Sequence, residues 1–117
     1  MPQVNLTVHV RKVTDSASIL DLQGDVTAFS ENVLMDAYTQ ASAHGVKTVV
    51  LNFESLEYMN SGGIGLLVTL LIRAQRQGQR LLAFGLNEHY QHIFDLTRLN
   101  DAIPIFEDET QALAVAR

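Results

Sequence analysis

The chain has 117 residues, of which 47% are hydrophobic and 18% are charged, and its formal net charge at pH 7 is -5. This length and composition are typical of a globular protein, and we expect a single domain over residues 1–117. The negative charge argues against a general nucleic-acid-binding protein, which would carry a basic surface. Cysteine is absent from the sequence, which excludes disulfides, thiolate zinc sites and thiol nucleophiles.

The N-terminal residues, Met1-Pro2-Gln3-Val4-Asn5, contain neither a basic segment nor a long apolar run. A secretion signal requires both of these features. The most apolar part of the chain, residues 64–72, is far shorter than the ~20 residues that a membrane-spanning helix needs. We therefore expect a cytoplasmic protein that does not insert into a membrane.

The first part of the chain predicts a β-hairpin. Apolar and polar residues alternate from Val4 to Arg11, which is the period of a strand with one buried face. Polar residues at 14–16 predict a turn, and an apolar run at 19–22 predicts a second strand that ends at Gly24-Asp25.

An amphipathic helix is predicted next. Apolar residues recur at three- and four-residue steps between positions 33 and 41, and Gly45 follows as a typical helix end. Ser30 is expected to be the N-cap of this helix, and Phe29 is expected to pack on Leu34 as a hydrophobic staple.

The remaining chain alternates between strand and helix patterns. The predicted elements are a buried strand at 48–53, a loop at 54–60, a helix from Ser61 to Gly78, a strand at 81–85, a helix capped by Asn87, an edge strand at 103–106 and a helix capped by Asp108. This order predicts an α/β domain with a mixed sheet of about 4–5 strands, in which the strands on either side of the first helix are parallel.

This order of features resembles the STAS domain of bacterial anti-sigma factor antagonists along nearly the whole chain. The most specific part runs from Val49 to Gly65 and reads Val-Val-Leu-Asn-Phe-Glu-Ser-Leu-Glu-Tyr-Met-Asn-Ser-Gly-Gly-Ile-Gly. The resemblance implies a mixed sheet with helices packed mainly on one face. It also implies a non-enzymatic protein that binds an anti-sigma factor with serine kinase activity and so frees a sigma factor for transcription.

Members of this family usually carry Asp-Ser-Ser/Thr-Gly in the loop before the second helix. The resemblance places the phosphorylated serine on Ser61 and the glycine of the motif on Gly63. Two positions depart from the pattern. Asn60 stands in place of the leading acid, and Gly62 stands in place of the second hydroxyl residue. The resemblance further places the turn at Asp25 beside this loop.

The resemblance therefore implies a phosphorylation-controlled switch centred on Ser61. The residues expected to contact the partner are Asp25, Thr27, Tyr58, Met59, Asn60, Gly62 and Gly63. A serine phosphatase is expected as a second partner, and a weak dimer is an open alternative to a monomer. We expect no cofactor and no metal.

The position of Ser61 has two physical interpretations. A serine at a helix start commonly caps the helix, which stabilises it by about 1 kcal/mol. Gly62 and Gly63 weaken that interpretation, because each costs about 1 kcal/mol of helix propensity relative to alanine and predicts backbone that another molecule approaches closely. A phosphate on Ser61 would also lie favourably at the positive end of the helix dipole.

Other functions of the same sequence are left open. A STAS domain could serve as a docking subunit of a lipid-transport ABC complex or of a stressosome, with Ser61 unmodified. A nucleotide-binding sensor is a further alternative, although residues 62–65 lack the third glycine of a dinucleotide fingerprint and the phosphate-loop lysine. The Gly-x-Ser-x-Gly motif of serine hydrolases is also missing, and we do not expect an enzyme.

Two smaller patterns favour ordinary surface roles. His89 and His92 lie three residues apart on a predicted helix but lack the flanking carboxylate of a metal motif. The basic cluster Arg73, Arg76 and Arg80 is interpreted as positive charge near a helix C terminus, with contact to an acidic partner as the alternative.

Overall fold

Strands and helices alternate in the computed structural model, which describes residues 4–116. In chain order the elements are β1 (Leu6–Lys12), β2 (Ala17–Val26), a 3₁₀ turn (Ala28–Ser30), α1 (Glu31–Ala41), β3 (Thr48–Met59), α2 (Ser61–Arg76), β4 (Arg80–Phe84), α3 (Glu88–Leu96), α4 (Leu99–Ala102), β5 (Ile105–Phe106) and α5 (Glu109–Val115). Residues 1–3, which also entered the expectation about a secretion signal, lie outside the described part.

The five strands form one mixed sheet in the order β1-β2-β3-β4-β5. β1 is antiparallel to β2, as predicted for a hairpin, and the other neighbours are parallel. The predicted α/β domain with a mixed sheet is therefore confirmed. Within residues 4–116, every helix is too short or too polar to cross a membrane.

The core is divided between the two faces of the sheet, because successive strand residues point to opposite faces. The larger core lies between the sheet and helices α1, α2 and α3, and includes Leu20, Leu51, Leu81, Leu34, Leu67 and Phe94. The smaller core lies under α5 and includes Ile19, Val50, Leu82 and Ala112. Each fully buried leucine contributes about 1.5–3 kcal/mol through the hydrophobic effect.

The prediction of a loop at residues 54–60 is wrong. β3 continues to Met59, and its second half pairs with the end of β2, where Asp25 lies opposite Tyr58 and Val26 lies opposite Met59. Two register shifts interrupt this pairing, so inward and outward positions do not follow a single alternation. The exposed polar residues in this half of β3 do not reveal a strand in the sequence. The segment is a strand because it pairs with β2.

The predicted start of α1 is confirmed in position, because Ser30 directly precedes Glu31 as the N-cap residue, but the predicted side-chain capping bond and hydrophobic staple are not formed. The hydroxyl of Ser30 donates to the carbonyl oxygen of Asp25 at 3.0 Å and accepts from the N–H of Thr27 at 3.0 Å. It makes no capping bond to α1. The intervening 3₁₀ turn leaves Phe29 59% exposed, and a staple onto Leu34 is excluded because Phe29 points to solvent.

The later helix caps were predicted correctly. The side chain of Asn87 accepts from the N–H of Tyr90, and that of Asp108 accepts from the N–H of Gln111. The predicted edge strand is present but is limited to Ile105–Phe106. The short helix α4 was not predicted.

Candidate functional site

Asn60 caps helix α2 and leaves Ser61 free. The Asn60 Oδ1 atom accepts a hydrogen bond from the N–H of Gly63 at 2.9 Å, and the backbone of Asn60 is extended, as an N-cap requires. Ser61 is the first residue of α2 and is exposed. Among residues 4–116 its hydroxyl has no hydrogen-bond partner. The capping interpretation of Ser61 is therefore wrong, and its hydroxyl is accessible to another molecule.

The two glycines after Ser61 are explained by packing inside the fold. A Cβ atom on Gly63 would lie 2.0 Å from the carbonyl oxygen of Val26, and one on Gly62 would lie 3.0 Å from the Cβ of Ala28. Both contacts are tighter than ordinary van der Waals distances, and the first is a clash. These glycines let α2 begin directly against the end of β2. Packing within the fold therefore explains the need for glycine at both positions without an approaching partner.

The turn after β2 lies beside the start of α2 through this same packing. The Asp25 carboxylate accepts from the side-chain amide of Asn5 at 2.9 Å. The hydroxyl of Thr27 accepts from the N–H of Phe29 at 3.2 Å and caps the 3₁₀ turn. Both side chains thus have local structural partners at the edge of the candidate site.

Tyr58 and Met59 have different environments at the end of β3. Tyr58 is 50% exposed, whereas Met59 is 5% exposed and belongs to the core. The N–H of Met59 donates to the phenol oxygen of Tyr90 on α3 at 2.9 Å. This bond fixes the segment that leads into Ser61 with respect to α3.

A shallow apolar depression, which we call the α2–α3 hollow, lies next to Ser61. It has a volume of about 270 Å³ and is lined by Met59, Asn60, Ser61, Ile64, Ile93 and Thr97. Sequence reasoning missed Ile93 and Thr97. Ile93 belongs to the apolar face of α3 that the helical spacing predicts. The spacing indicates that a residue packs against another element but does not identify that element.

An exposed apolar stripe runs along α2 from Ser61. Gly65, Val68 and Ile72 follow Ser61 by four, seven and eleven residues, a spacing that places them on one helix face. Val68 and Ile72 are exposed, and a Cβ atom on Gly65 would contact nothing within 4 Å. We call Gly65, Val68 and Ile72 the α2 stripe. Together with Tyr58 and the α2–α3 hollow it forms an apolar surface around an accessible hydroxyl.

Positive charge is scarce in the β2, β3 and α2 segments of this surface, and the exposed Arg98 follows Thr97 at its α3 side. The segments 13–46 and 48–72 contain no lysine or arginine, whereas Asp25, Glu31 and Glu57 all belong to them. An added phosphate would therefore find few cations nearby and would strongly change the local electrostatics.

The five-stranded mixed sheet, its helices and the serine at the start of α2 define a small α/β domain of the STAS type. The model of the STAS domain family matches residues 9–112, and the chain belongs to this family.

Known proteins agree with this assignment. The chain is 25% identical over 84 residues to an anti-sigma-B factor antagonist of Staphylococcus aureus, covering 72% of this chain and 78% of that protein. It is 26% identical over 102 residues to the anti-sigma-B factor antagonist of Bacillus subtilis, covering 87% and 92%. The solved structure of an anti-sigma factor antagonist from Mycobacterium paratuberculosis has the same fold, with a TM-score of 0.79, 18% identity and coverage of 96% and 94%. The resemblance to anti-sigma factor antagonists is thereby confirmed.

Proposed function

We propose that this protein is an anti-sigma factor antagonist that works as a phosphorylation-controlled switch in the cytoplasm. Unmodified, it binds an anti-sigma factor and so frees a sigma factor. Phosphorylation of Ser61 by the kinase activity of that partner ends the binding, and a serine phosphatase restores it. The protein is the substrate of both enzymes and has no catalytic role of its own. The observation that carries this proposal is the exposed hydroxyl of Ser61. This hydroxyl is not used for capping because Asn60 caps the helix.

The position of Ser61 suits a phosphoacceptor. Its hydroxyl oxygen has no competing hydrogen bond among the described residues and stands at the first position of a 16-residue helix. The positive end of the helix dipole stabilises an added phosphate, so modification need not unfold the domain. The phosphate then changes the binding of the partner and not the fold of the domain.

The apolar surface around Ser61 explains how a phosphate would end binding. In the complex, the partner covers the α2–α3 hollow, the α2 stripe and Tyr58. A phosphate carries a charge of about -1.5 to -2 at neutral pH, and burying it in an apolar interface without a cation is unfavourable. Asp25, Thr27, Asn60 and Gly62 form the rim of the contact, while Met59 and Gly63 act by holding the rim in place.

Phosphorylation is tested by incubating the protein with a kinase-type anti-sigma factor and Mg-ATP and measuring the intact mass. We expect the mass of one phosphate to be added to the wild type and to Thr69→Ala, a control that removes another exposed hydroxyl of α2. Ser61→Ala is expected to remain unmodified. A phosphate on Ser61→Ala, or none on the wild type, would contradict the proposed acceptor.

The charge dependence is tested by measuring binding to the same partner without ATP. Ser61→Asp is expected to bind much more weakly than the wild type, whereas Ser61→Asn, which is similar in size and neutral, should bind nearly as well. Equal binding by Ser61→Asp would show that charge at this position does not control the complex.

One observation favours docking without phosphorylation as a second candidate function. Asn60 stands where family members usually carry an acid, and a kinase that reads this acid would not recognise the chain. The protein would then serve as a docking subunit of a larger assembly through the same apolar surface. Partner binding that persists without any phosphate transfer to Ser61 would support this candidate. Nucleotide binding has less support, because Gly63 is packed under Val26 and its backbone is not open to a phosphate.

A further inference from the structure

A single cation follows the lining of the α2–α3 hollow. Thr97 lines this hollow together with Ser61, and Arg98 is the next residue in the chain. The side chain of Arg98 is 84% exposed, and its ion pair with Asp101 is long, with 3.7 Å between Nη1 and Oδ2. Exposed pairs of this kind contribute little to stability. The guanidinium can therefore turn towards a stronger anion at small cost.

The backbone at Arg98 has a conformation that disfavours arginine. Its φ angle is +60°, which lies in the left-handed region, and it follows the C-terminal end of α3, where glycine or asparagine is usual. Two hydrogen bonds fix this conformation. The N–H of Arg98 donates to the carbonyl oxygen of Asp95 at 3.1 Å, and the carbonyl oxygen of Arg98 accepts from the N–H of Asp101 at 3.1 Å. A long cation at a position suited to glycine points to a role other than ending the helix.

The α2–α3 hollow is lined by uncharged side chains only. Most titratable groups on the elements that border it are acidic: Asp25 at the end of β2, Glu31 at the start of α1, Glu57 in β3, His92 and Asp95 in α3, and Asp101 in α4. Carboxylates near a phosphate on Ser61 would repel it, so a cation close to this position has a large effect on the phosphorylated state.

The other cations of residues 4–116 lie away from Ser61. Arg73 and Arg76 follow Ser61 by 12 and 15 residues on α2, which is about 18 and 23 Å at a rise of 1.5 Å per residue. The remaining ones lie near the opposite end of the sheet, where β1 ends and where β3 and β4 begin: Arg11, Lys12, Lys47 and Arg80. Among the described residues, Arg98 is therefore the cation placed to meet a phosphate on Ser61.

We propose that Arg98 binds the phosphate of phosphorylated Ser61 across the α2–α3 hollow, an inference that rests on the proposed phosphorylation of Ser61. The guanidinium donates two parallel N–H···O bonds to phosphate oxygens, a geometry that suits arginine. Asp101 is the weaker competitor for this guanidinium, because it carries one negative charge whereas the phosphate carries about two. Arg98 is thus a positioning residue for the phosphate.

This contact changes the hollow to which the partner binds. In the unmodified protein the hollow is an apolar depression that an apolar side chain of the partner can fill. In the phosphorylated protein the phosphate and the guanidinium lie across it, and removing these paired charges from water is unfavourable. The hollow is then closed to the partner by a charged pair, so that its loss as an apolar contact adds to the effect of the negative charge.

The proposal is tested on protein in which phosphoserine is incorporated at position 61 during translation, so that no kinase is needed. ³¹P NMR follows the second ionisation of the phosphate, whose ordinary pKa is about 6. A nearby cation favours the doubly charged form. We therefore expect the titration midpoint of the phosphorylated wild type to lie about 0.5 pH unit below that of phosphorylated Arg98→Gln. Salt at about 1 M should remove most of this difference, because exposed charges are screened.

Two further variants separate phosphate binding from net charge and from backbone structure. Arg76→Gln removes one positive charge about 23 Å along α2 from Ser61 and should keep the midpoint of the wild type. Arg98→Gly suits the left-handed conformation, so it should unfold at a urea concentration at least as high as that of the wild type, and yet show the raised midpoint of Arg98→Gln.

Equal midpoints for the phosphorylated wild type and Arg98→Gln would overturn the proposal, and so would an equally large change in Arg76→Gln. Failure of the switch itself has a different result. A kinase-type anti-sigma factor that leaves Ser61 unmodified contradicts the proposed function, whereas the midpoint of the incorporated phosphoserine tests the contact with Arg98 alone.

Discussion

The backbone N–H of Met59 donates to the phenol oxygen of Tyr90 at 2.9 Å, and this bond joins the last residue of β3 to α3. Both residues are buried, so water cannot replace the bond without opening the core. The segment that presents Ser61 is thus held from two sides, by the pairing of β3 with β2 and by Tyr90.

We predict that Tyr90→Phe destabilises the protein. The substitution keeps the ring but leaves the buried N–H of Met59 without a partner, which costs about 1–3 kcal/mol. The free energy of unfolding in urea measures this cost. Tyr58→Phe is the control, because Tyr58 is half exposed and its hydroxyl makes no hydrogen bond among the described residues. Equal stability of Tyr90→Phe and the wild type would contradict the role assigned to this bond.

Substitutions of Asn60 separate capping from kinase recognition. Asn60→Ala removes the acceptor for the N–H of Gly63 and is expected to cost about 1 kcal/mol of stability. Asn60→Asp keeps the acceptor, adds a negative charge at the positive end of α2, and should be at least as stable as the wild type. If the kinase reads the family acid, Asn60→Asp should also be phosphorylated faster. A large loss of stability in Asn60→Asp would rule out the capping geometry.

The glycines of α2 are predicted to respond in opposite directions to alanine. Gly65→Ala adds a Cβ atom in open space and should stabilise the helix by up to about 1 kcal/mol. Gly63→Ala forces a Cβ atom against the carbonyl oxygen of Val26 and should destabilise by more than about 2 kcal/mol. Urea unfolding of the two variants provides the comparison.

Substitution of Gly65 also tests the docking role of the α2 stripe. Gly65→Gln should fold normally, because its side chain points to solvent, but should weaken binding to the anti-sigma factor if the partner lies close to α2. Gln75→Ala, near the other end of the helix, serves as the control. Unchanged binding by Gly65→Gln would remove the α2 stripe from the proposed contact.

Asp21 should make stability depend on pH in the acidic range. Partial burial by itself would raise the pKa of Asp21, but hydrogen bonds from Arg11 and Asn52 outweigh it and hold the pKa below its usual value. Arg11 Nε lies 2.7 Å from Asp21 Oδ2, and Asn52 Nδ2 lies 2.7 Å from Asp21 Oδ1. A carboxyl group with a lowered pKa stabilises the fold above its unfolded-state pKa of about 3.9, and this contribution is lost as pH falls through the folded-state pKa.

We therefore predict that Asp21→Asn is less stable than the wild type at pH 7 by about 1 kcal/mol, a value that allows for partial exposure of the pair. The difference should shrink when unfolding is measured near pH 3. Asp15→Asn, in the exposed turn between β1 and β2, should show no such change. A difference that is independent of pH would mean that the charge of Asp21 is not responsible.

Local sequence was sufficient for the features that depend on neighbours along the chain. The caps Asn87 and Asp108, the apolar periods of the helices and the helix start at Ser61 all rest on bonds within one turn or on one buried face. The order of elements along the whole chain predicted the mixed sheet, and the family resemblance pointed to the same fold and to the serine loop. The serine loop was located in this way before its geometry was known.

Tertiary structure decided what depends on residues far apart in the chain. The second half of β3 is a strand because β2 extends to Val26 to meet it, and Gly63 must be glycine because that same residue lies above it. The α2–α3 hollow joins Ser61 on α2 to Ile93 on α3, which lie far apart in the chain. The sequence by itself thus determined where the serine stands, because a helix start depends on neighbouring residues, and the local bond from the N–H of Gly63 makes Asn60 the cap. Contacts between distant elements decided which surface surrounds the free hydroxyl of Ser61.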